Sequence, residues 1–196
     1  MKLYEIREGL LSSGRRVFTI GQLSVLLGVS REHAKVYAHR LVARGWAWRP
    51  RRGIIALTRD EFVLATQLVE PSYVSMHAAL YLRGLVDQVP SIVECVTTRC
   101  SLALPDLGVR YRRIQPDLFF GYERMDKGES YVMVAGREKA LLDMVYFGYK
   151  PPSVRADPDV LVKMARRFEK AGGNRARRVV RWVRRIAQQG RSVEVG

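Results

Sequence analysis

Only three residues, Gly28, Val29 and Ser30, separate two helical patterns near the start of the chain. So short a joint constrains the fold more than any other feature. The first pattern, TIGQLSVLLG, opens with Thr19 and has Gln22 three residues on, the reciprocal capping arrangement of a helix start. Leu23, Leu26 and Leu27 supply its apolar face, and Gly28 ends it. The second, SREHAKVYAHRLVARG, has Ser30 as an N-cap and Gly45 as its stop. Ala34, Tyr37, Ala38 and Leu41 recur at helical spacing and predict a buried stripe. Glu32, Lys35, Val36, His39 and Arg40 point the other way, with Arg31 at the N-terminal end. A short helix, a tight turn containing Gly and then a longer basic helix make the helix-turn-helix pattern.

The flanking residues complete the pattern. Residues 2–13 place Leu3, Ile6, Leu10 and Leu11 on one side of a further helix. After the basic helix, WAWRPRRGIIAL reads as two strands, with Pro50 at the first central turn position and Gly53 at a left-handed bulge position. Arg49, Arg51 and Arg52 then lie at the hairpin tip, and Trp46 and Trp48 pack beneath it. A helix-turn-helix followed by such a hairpin predicts a winged helix over residues 1–59. In that arrangement the second helix fits the major groove of a DNA duplex, and its outward side chains reach base edges. The hairpin arginines neutralise phosphates and fix register without reading sequence. Arg31, Lys35, His39, Arg40, Arg44, Arg49, Arg51 and Arg52 are therefore the candidate DNA contacts.

Charge distribution supports a polyanionic partner. The net charge is +15, but it is not evenly spread. Residues 1–59 carry 12 Lys and Arg against 3 Asp and Glu, and residues 150–196 carry 13 against 4. Between them, residues 60–149 are slightly acidic, with 9 against 12. A general solubility bias would not concentrate charge at the two ends. Arginine supplies 27 of the 34 cations, which favours planar phosphate and base-edge contacts. With 47% hydrophobic and 27% charged residues, the composition is that of a globular protein. No apolar run approaches the roughly 18 residues of a membrane span, and the N-terminus lacks a signal-peptide core. A cytoplasmic protein without a membrane partner is expected.

Residues 60–149 predict an α+β domain with a small mixed or antiparallel sheet flanked by helices. RDEFVLATQLVEP is a short connecting helix stopped by Pro71, and Ser72 or Ser75 caps a helix carrying Ala79, Leu80 and Leu82. SIVECVTTR, VRYRRIQ, LFFGYE and SYVMVA are strand candidates, and GREKALLDMVYFG returns to helical spacing. Cys95 and Cys100 lack zinc-ligand context and read as buried or half-buried thiols. No nucleophile elbow, glycine-rich phosphate loop or metal-ligand spacing points to catalysis. His77, Glu138, Lys139 and Asp143 are the polar residues nearest to such a role, and each has an equally good structural reading. No catalytic or metal residue and no cofactor is expected.

The run SYVSMHAALYLRGLVDQVP, the strand ending VTTR, LFFGYE and GREKALLDMVYFG, in this order after a winged helix, resemble the AbiEi-type antitoxins. These are transcriptional regulators of abortive-infection, type IV toxin–antitoxin systems. The resemblance covers roughly residues 15–149. It implies autoregulation, with the winged helix on inverted repeats of its own operator. It also implies a nucleotidyltransferase-like toxin as partner of the segment after the winged helix. The family often has proline at the position of Gly136, giving PEKALLD, where this chain has GREKALLD.

Residues 150–196 begin with a proline-bearing linker and continue as two helical stretches. Asp157 caps the first, with Pro158 at its first position, and Gly172–Gly173 breaks it before Asn174 caps the second. In the second, Ala176, Val179, Val180, Val183, Ile186 and Ala187 form an apolar stripe, and Arg175, Arg178, Arg181, Arg184 and Arg185 crowd the rest. Three readings fit: a docked amphipathic helix, a second nucleic-acid contact, or a surface for a partner or membrane. For the whole chain the leading expectation is a sequence-specific DNA-binding regulator. The alternative is an RNA-binding or protein–protein adaptor module using the winged helix and the arginine-rich tail.

Overall fold

The local start and stop signals fold as their chemistry dictates. In a computed structural model describing residues 2–188 and the backbone of 193–195, Leu3–Ser12 forms helix α1 and Val17–Thr19 strand β1. Ile20–Leu27 forms α2, Arg31–Ala43 α3, Trp48–Arg51 β2, Ile54–Ala56 β3 and Glu61–Leu68 α4. Thr19 Oγ accepts from the Gln22 amide at 3.1 Å, while Gln22 Oε1 accepts from the Thr19 amide at 2.9 Å. Ser30 Oγ accepts from the His33 amide at 3.2 Å. Gly28 closes α2 at φ +63°, where a side chain would strain the backbone.

The chain divides into two compact units. The first runs to Glu70 and also takes in Arg124–Val132; the second comprises Pro71–Glu123 and Met133 onward. In the first unit β1, β3 and β2 form a three-stranded antiparallel sheet in that order. Strand β1 is too short to announce itself in sequence and is made by its pairing with β3. The hairpin turn falls on Arg52–Gly53, because Arg51 pairs with Ile54. Pro50 therefore lies within β2, at a register irregularity between Trp48 and Arg51, and not at a central turn position. A proline fits there because the irregular position needs no ladder amide. Ile6, Leu10, Phe18, Leu23, Ala34, Ala38, Leu41 and Ile55 form the core.

The expected short helix before Pro71 is present as α4, but it is also part of a core: every residue from Phe62 to Leu68 is buried. Gln67 explains why a polar residue belongs there. Its Oε1 accepts from the backbone amides of Arg16 (2.8 Å) and Val17 (3.2 Å), and its Nε2 donates to Ser130 Oγ and Tyr131 O, both at 3.2 Å. Buried Arg16 donates to the carbonyls of Leu11, Arg15 and Glu129 and pairs with the Glu129 carboxylate at 3.3 Å, which offsets the cost of burying its charge.

In the second unit Ser72–Val74 is β4, Met76–Leu82 α5, Val93–Thr97 β5, Leu102–Leu104 β6 and Val109–Arg113 β7. Tyr122–Lys127 (β8) and Ser130–Ala135 (β9) form a hairpin, followed by Arg137–Phe147 (α6) and Val154–Ala156 (β10). Pro158–Ala171 (α7), Gly173–Gln188 (α8) and Val193–Val195 (β11) complete the chain. The main sheet runs β6-β7-β5-β4-β9-β8. It is mixed: β5–β7 and β4–β9 are parallel, while β4–β5 and β6–β7 are antiparallel. The fold class is thus α+β, as expected. Phe119–Gly121, expected in a strand, precedes β8 instead. Residues 154–156, expected in a linker, pair with β11.

Ser72 sits in β4, so the α5 helix starts after Ser75. Ser75 makes no capping bond, because its hydroxyl donates to Asp143 Oδ2 at 2.7 Å. Tyr73 donates to the same oxygen at 3.0 Å. Asp143 also ion-pairs with Lys139, and both side chains are wholly buried. Lys139 Nζ lies 5.4, 5.1 and 5.6 Å from the ring centroids of Tyr73, Phe120 and Phe168. Burial pulls the ammonium below the usual lysine range, while Asp143 pulls it back. Burial and the Asp143 charge hold the Tyr73 hydroxyl well above its usual value, so it stays a donor. Two of the polar residues considered for catalysis thus form the polar centre of a core. His77 is exposed. Cys95 is buried, which pushes its thiol up, but Cys100 is exposed, contrary to expectation.

Candidate nucleic-acid interface

Small residues set the seating of α3. Ala34, Ala38 and Leu41 are its buried positions, so two of the three contacts are methyl groups and the helix axis can lie close to the core. The opposite arc stays clear. Arg31, Lys35, His39, Arg40 and Arg44 are all exposed. Four-residue spacing arranges them in two rows, one of Arg31, Lys35 and His39 and the next of Val36, Arg40 and Arg44. Val36 is 46% exposed, an apolar side chain set among cations.

The hairpin brings the second set of cations to this helix. Arg49, Arg51 and Arg52 are exposed, and Gly53 turns the chain at φ +76°. Lys35 from α3 and Arg49 and Arg52 from the hairpin line one groove, whose apolar side is Ile20, Ile54 and Ile55. Arg31, His39, Arg40, Arg44 and Arg51 lie outside that groove on the adjoining surface. Among the described residues Lys35 has one carboxylate neighbour, Glu32, at 3.7 Å, and the seven other candidates have no ion-pair partner. An exposed pair at that distance holds little energy and yields readily to a phosphate. The groove is thus a positive surface with an apolar floor, balanced among the described residues only by the weak Lys35–Glu32 pair.

The tryptophans pack as expected. Trp46 leans on the core with Arg7 over its ring at 5.6 Å. Trp48 donates its indole N–H to Thr58 O at 2.7 Å, and Arg59 covers its ring at 4.2 Å. Sequence reasoning did not single out Arg59 or the floor residue Ile20, because neither belongs to the helix or the hairpin tip. It also placed Leu26 on the apolar face of α2, whereas Leu26 is 47% and Val25 84% exposed. Leu23 alone is buried in that short helix.

The C-terminal arginines divide into two groups. Ala176, Val179, Val183 and Ile186 are buried as the stripe predicts, Ala187 is exposed, and the helix starts at Gly173, ahead of Asn174. Arg178 donates to Tyr146 O at 2.8 Å, Arg175 lies over the Tyr146 ring at 5.9 Å, and Arg184 pairs with Glu169 at 2.8 Å. Arg181 and Arg185 have no such partner among the described residues. Among the described residues no cluster of three potential metal ligands occurs, and no helix is long and apolar enough to cross a membrane. No protein-family model matches the chain, and no curated protein matches it.

Proposed function

We propose that this chain is a sequence-specific, duplex-DNA-binding transcription regulator whose first unit acts as a winged helix. The observation that carries the reading is the groove shared by Lys35 of α3 and by Arg49 and Arg52 of the hairpin, where Glu32, 3.7 Å from Lys35, is the one ion-paired acid among the described residues. In this reading α3 lies in the major groove. Arg31, Lys35, His39 and Arg40 face base edges and phosphates, and Val36 offers its methyls to a thymine methyl. Arg49, Arg51 and Arg52 hold the adjacent backbone, and Arg44 adds a phosphate contact at the helix end. Counterion release supplies most of the affinity, so no cofactor is needed. An operator as ligand places the protein in the cytoplasm.

The resemblance to AbiEi-type antitoxins gives the proposal its biological form. The operator is the chain's own upstream region, carrying inverted repeats, and the second unit opposes a nucleotidyltransferase-like toxin encoded alongside. The test is fluorescence anisotropy of the full chain on a duplex from that upstream region and on a scrambled duplex of equal composition. The upstream duplex is expected to bind more tightly, with affinity falling by about 0.9 log unit per neutralised phosphate for each log unit of salt. Equal affinity for the two duplexes overturns the regulator reading. Co-expression with the neighbouring gene tests the antitoxin arm: growth arrest relieved by this chain supports it, and unrelieved arrest removes it.

A further inference from the structure

The second unit carries its own unspent charge. A cleft of about 430 Å³ opens between the segment after α6 and the outer face of α8. Tyr149, Lys150, Arg178, Arg181, Trp182 and Arg185 line it, and among the described residues no acidic one does. One wall is fixed: Arg178 is tied to Tyr146 O, and a Cβ at Gly148 would stand 3.2 Å from its Nη1. Tyr149 is fixed too, donating to Glu94 Oε1 at 2.9 Å with Arg112 over its ring at 5.0 Å. The remaining groups are not engaged. Lys150, Arg181 and Arg185 have no carboxylate partner, and the half-buried Trp182 has no acceptor for its indole N–H, among the described residues.

We infer that this cleft binds single-stranded nucleic acid, with phosphates on Lys150, Arg181 and Arg185 and an unstacked base against Trp182. Each part of the surface answers to one part of that ligand. Three unopposed cations in a row call for a polyanion. A recessed aromatic ring among them calls for a flat π-face, which a duplex hides within its stack and an acidic peptide lacks. Arg181 and Arg185 stand one helical turn apart on α8, close to the spacing of successive phosphates, which distinguishes a strand from a mononucleotide. The site lies wholly within the second unit and does not rest on the proposed role of α3.

The experiment uses the full chain and a version with Arg31, Lys35 and Arg40 changed to Ala, so that duplex binding by the first unit is separated out. Labelled oligo(U), oligo(dT) and a duplex of about ten residues each are titrated at low salt. Saturable binding of oligo(U) or oligo(dT) by both proteins supports the inference. Preference for oligo(U) identifies RNA through its 2′-hydroxyls, preference for oligo(dT) identifies DNA, and equal binding identifies a site that reads phosphate and base without reading the sugar. Arg181→Glu with Arg185→Glu should weaken single-strand binding at least about tenfold, and Trp182→Phe should remove the ligand-induced change in tryptophan emission while keeping the fold. Failure of both oligonucleotides to bind, binding indifferent to the arginine reversals, or equal binding of the duplex through the same arginines overturns it.

Discussion

Two regions of the molecule treat positive charge in opposite ways. On α3 and the β2–β3 hairpin the cations stand apart from acids, with only Lys35 near a carboxylate among the described residues. Around the sheet and α6 of the second unit several cations are put to structural use. Arg112 and Arg110 share Glu94 at 3.0 and 3.7 Å, Arg83 pairs with Glu123 at 2.8 Å, and Lys139 is sealed with Asp143. Arginine count is therefore a poor guide to availability. What separates a binding surface from a scaffold is whether the fold supplies the counter-ion itself.

The contrast is easiest to break at its structural end. Asp143→Asn leaves Lys139 buried without its partner and removes the charged acceptor of Tyr73 and Ser75. The expected loss is about 3–5 kcal/mol, read as a lowered denaturant midpoint. A loss below about 1 kcal/mol would mean that the pair is not a keystone. Next in size, Arg31→Glu, Lys35→Glu and Arg40→Glu together should weaken upstream-duplex binding at least about a hundredfold, or about 2.8 kcal/mol. Because all three are exposed, circular dichroism melting should not change. Ala38→Leu, at a wholly buried site, should cost about 1–3 kcal/mol by overpacking and displace α3 from its seat. Smallest of all, Arg184→Ala breaks an exposed pair with Glu169 and should change stability by less than about 1 kcal/mol and duplex binding not at all.

How far the sequence was legible follows from the range of the forces involved. Caps are local chemistry, so Thr19 with Gln22, Ser30, and Asp157 with Pro158 mark helix starts correctly. Strand β1 was not readable, since three residues become a strand only through a partner nearly forty positions away. The helix α4 was legible, but its burial was not, for the same reason: polar Gln67 is satisfied by residues distant on both sides in sequence. The return of Arg124–Val132 to the first unit is a packing outcome with no local mark. For the candidate site, the outward cations of α3 were visible from periodicity alone. Their convergence with Arg49 and Arg52 on one groove depended on where Gly53 turns the hairpin, which the Pro50 reading misplaced by two positions. Lys150 and Trp182 escaped notice because they meet only in three dimensions.

The alanine seat of α3 has a consequence for how this chain can change over generations. Packing is delegated to Ala34, Ala38 and Leu41, so positions 31, 35, 36, 39 and 40 hold almost no folding energy. On the proposed regulator reading, target choice and durability are thereby written in separate alphabets along one helix. A library at the five outward positions that omits proline and glycine should yield folded members nearly throughout, and selection among them for duplex binding becomes a search over target preference alone.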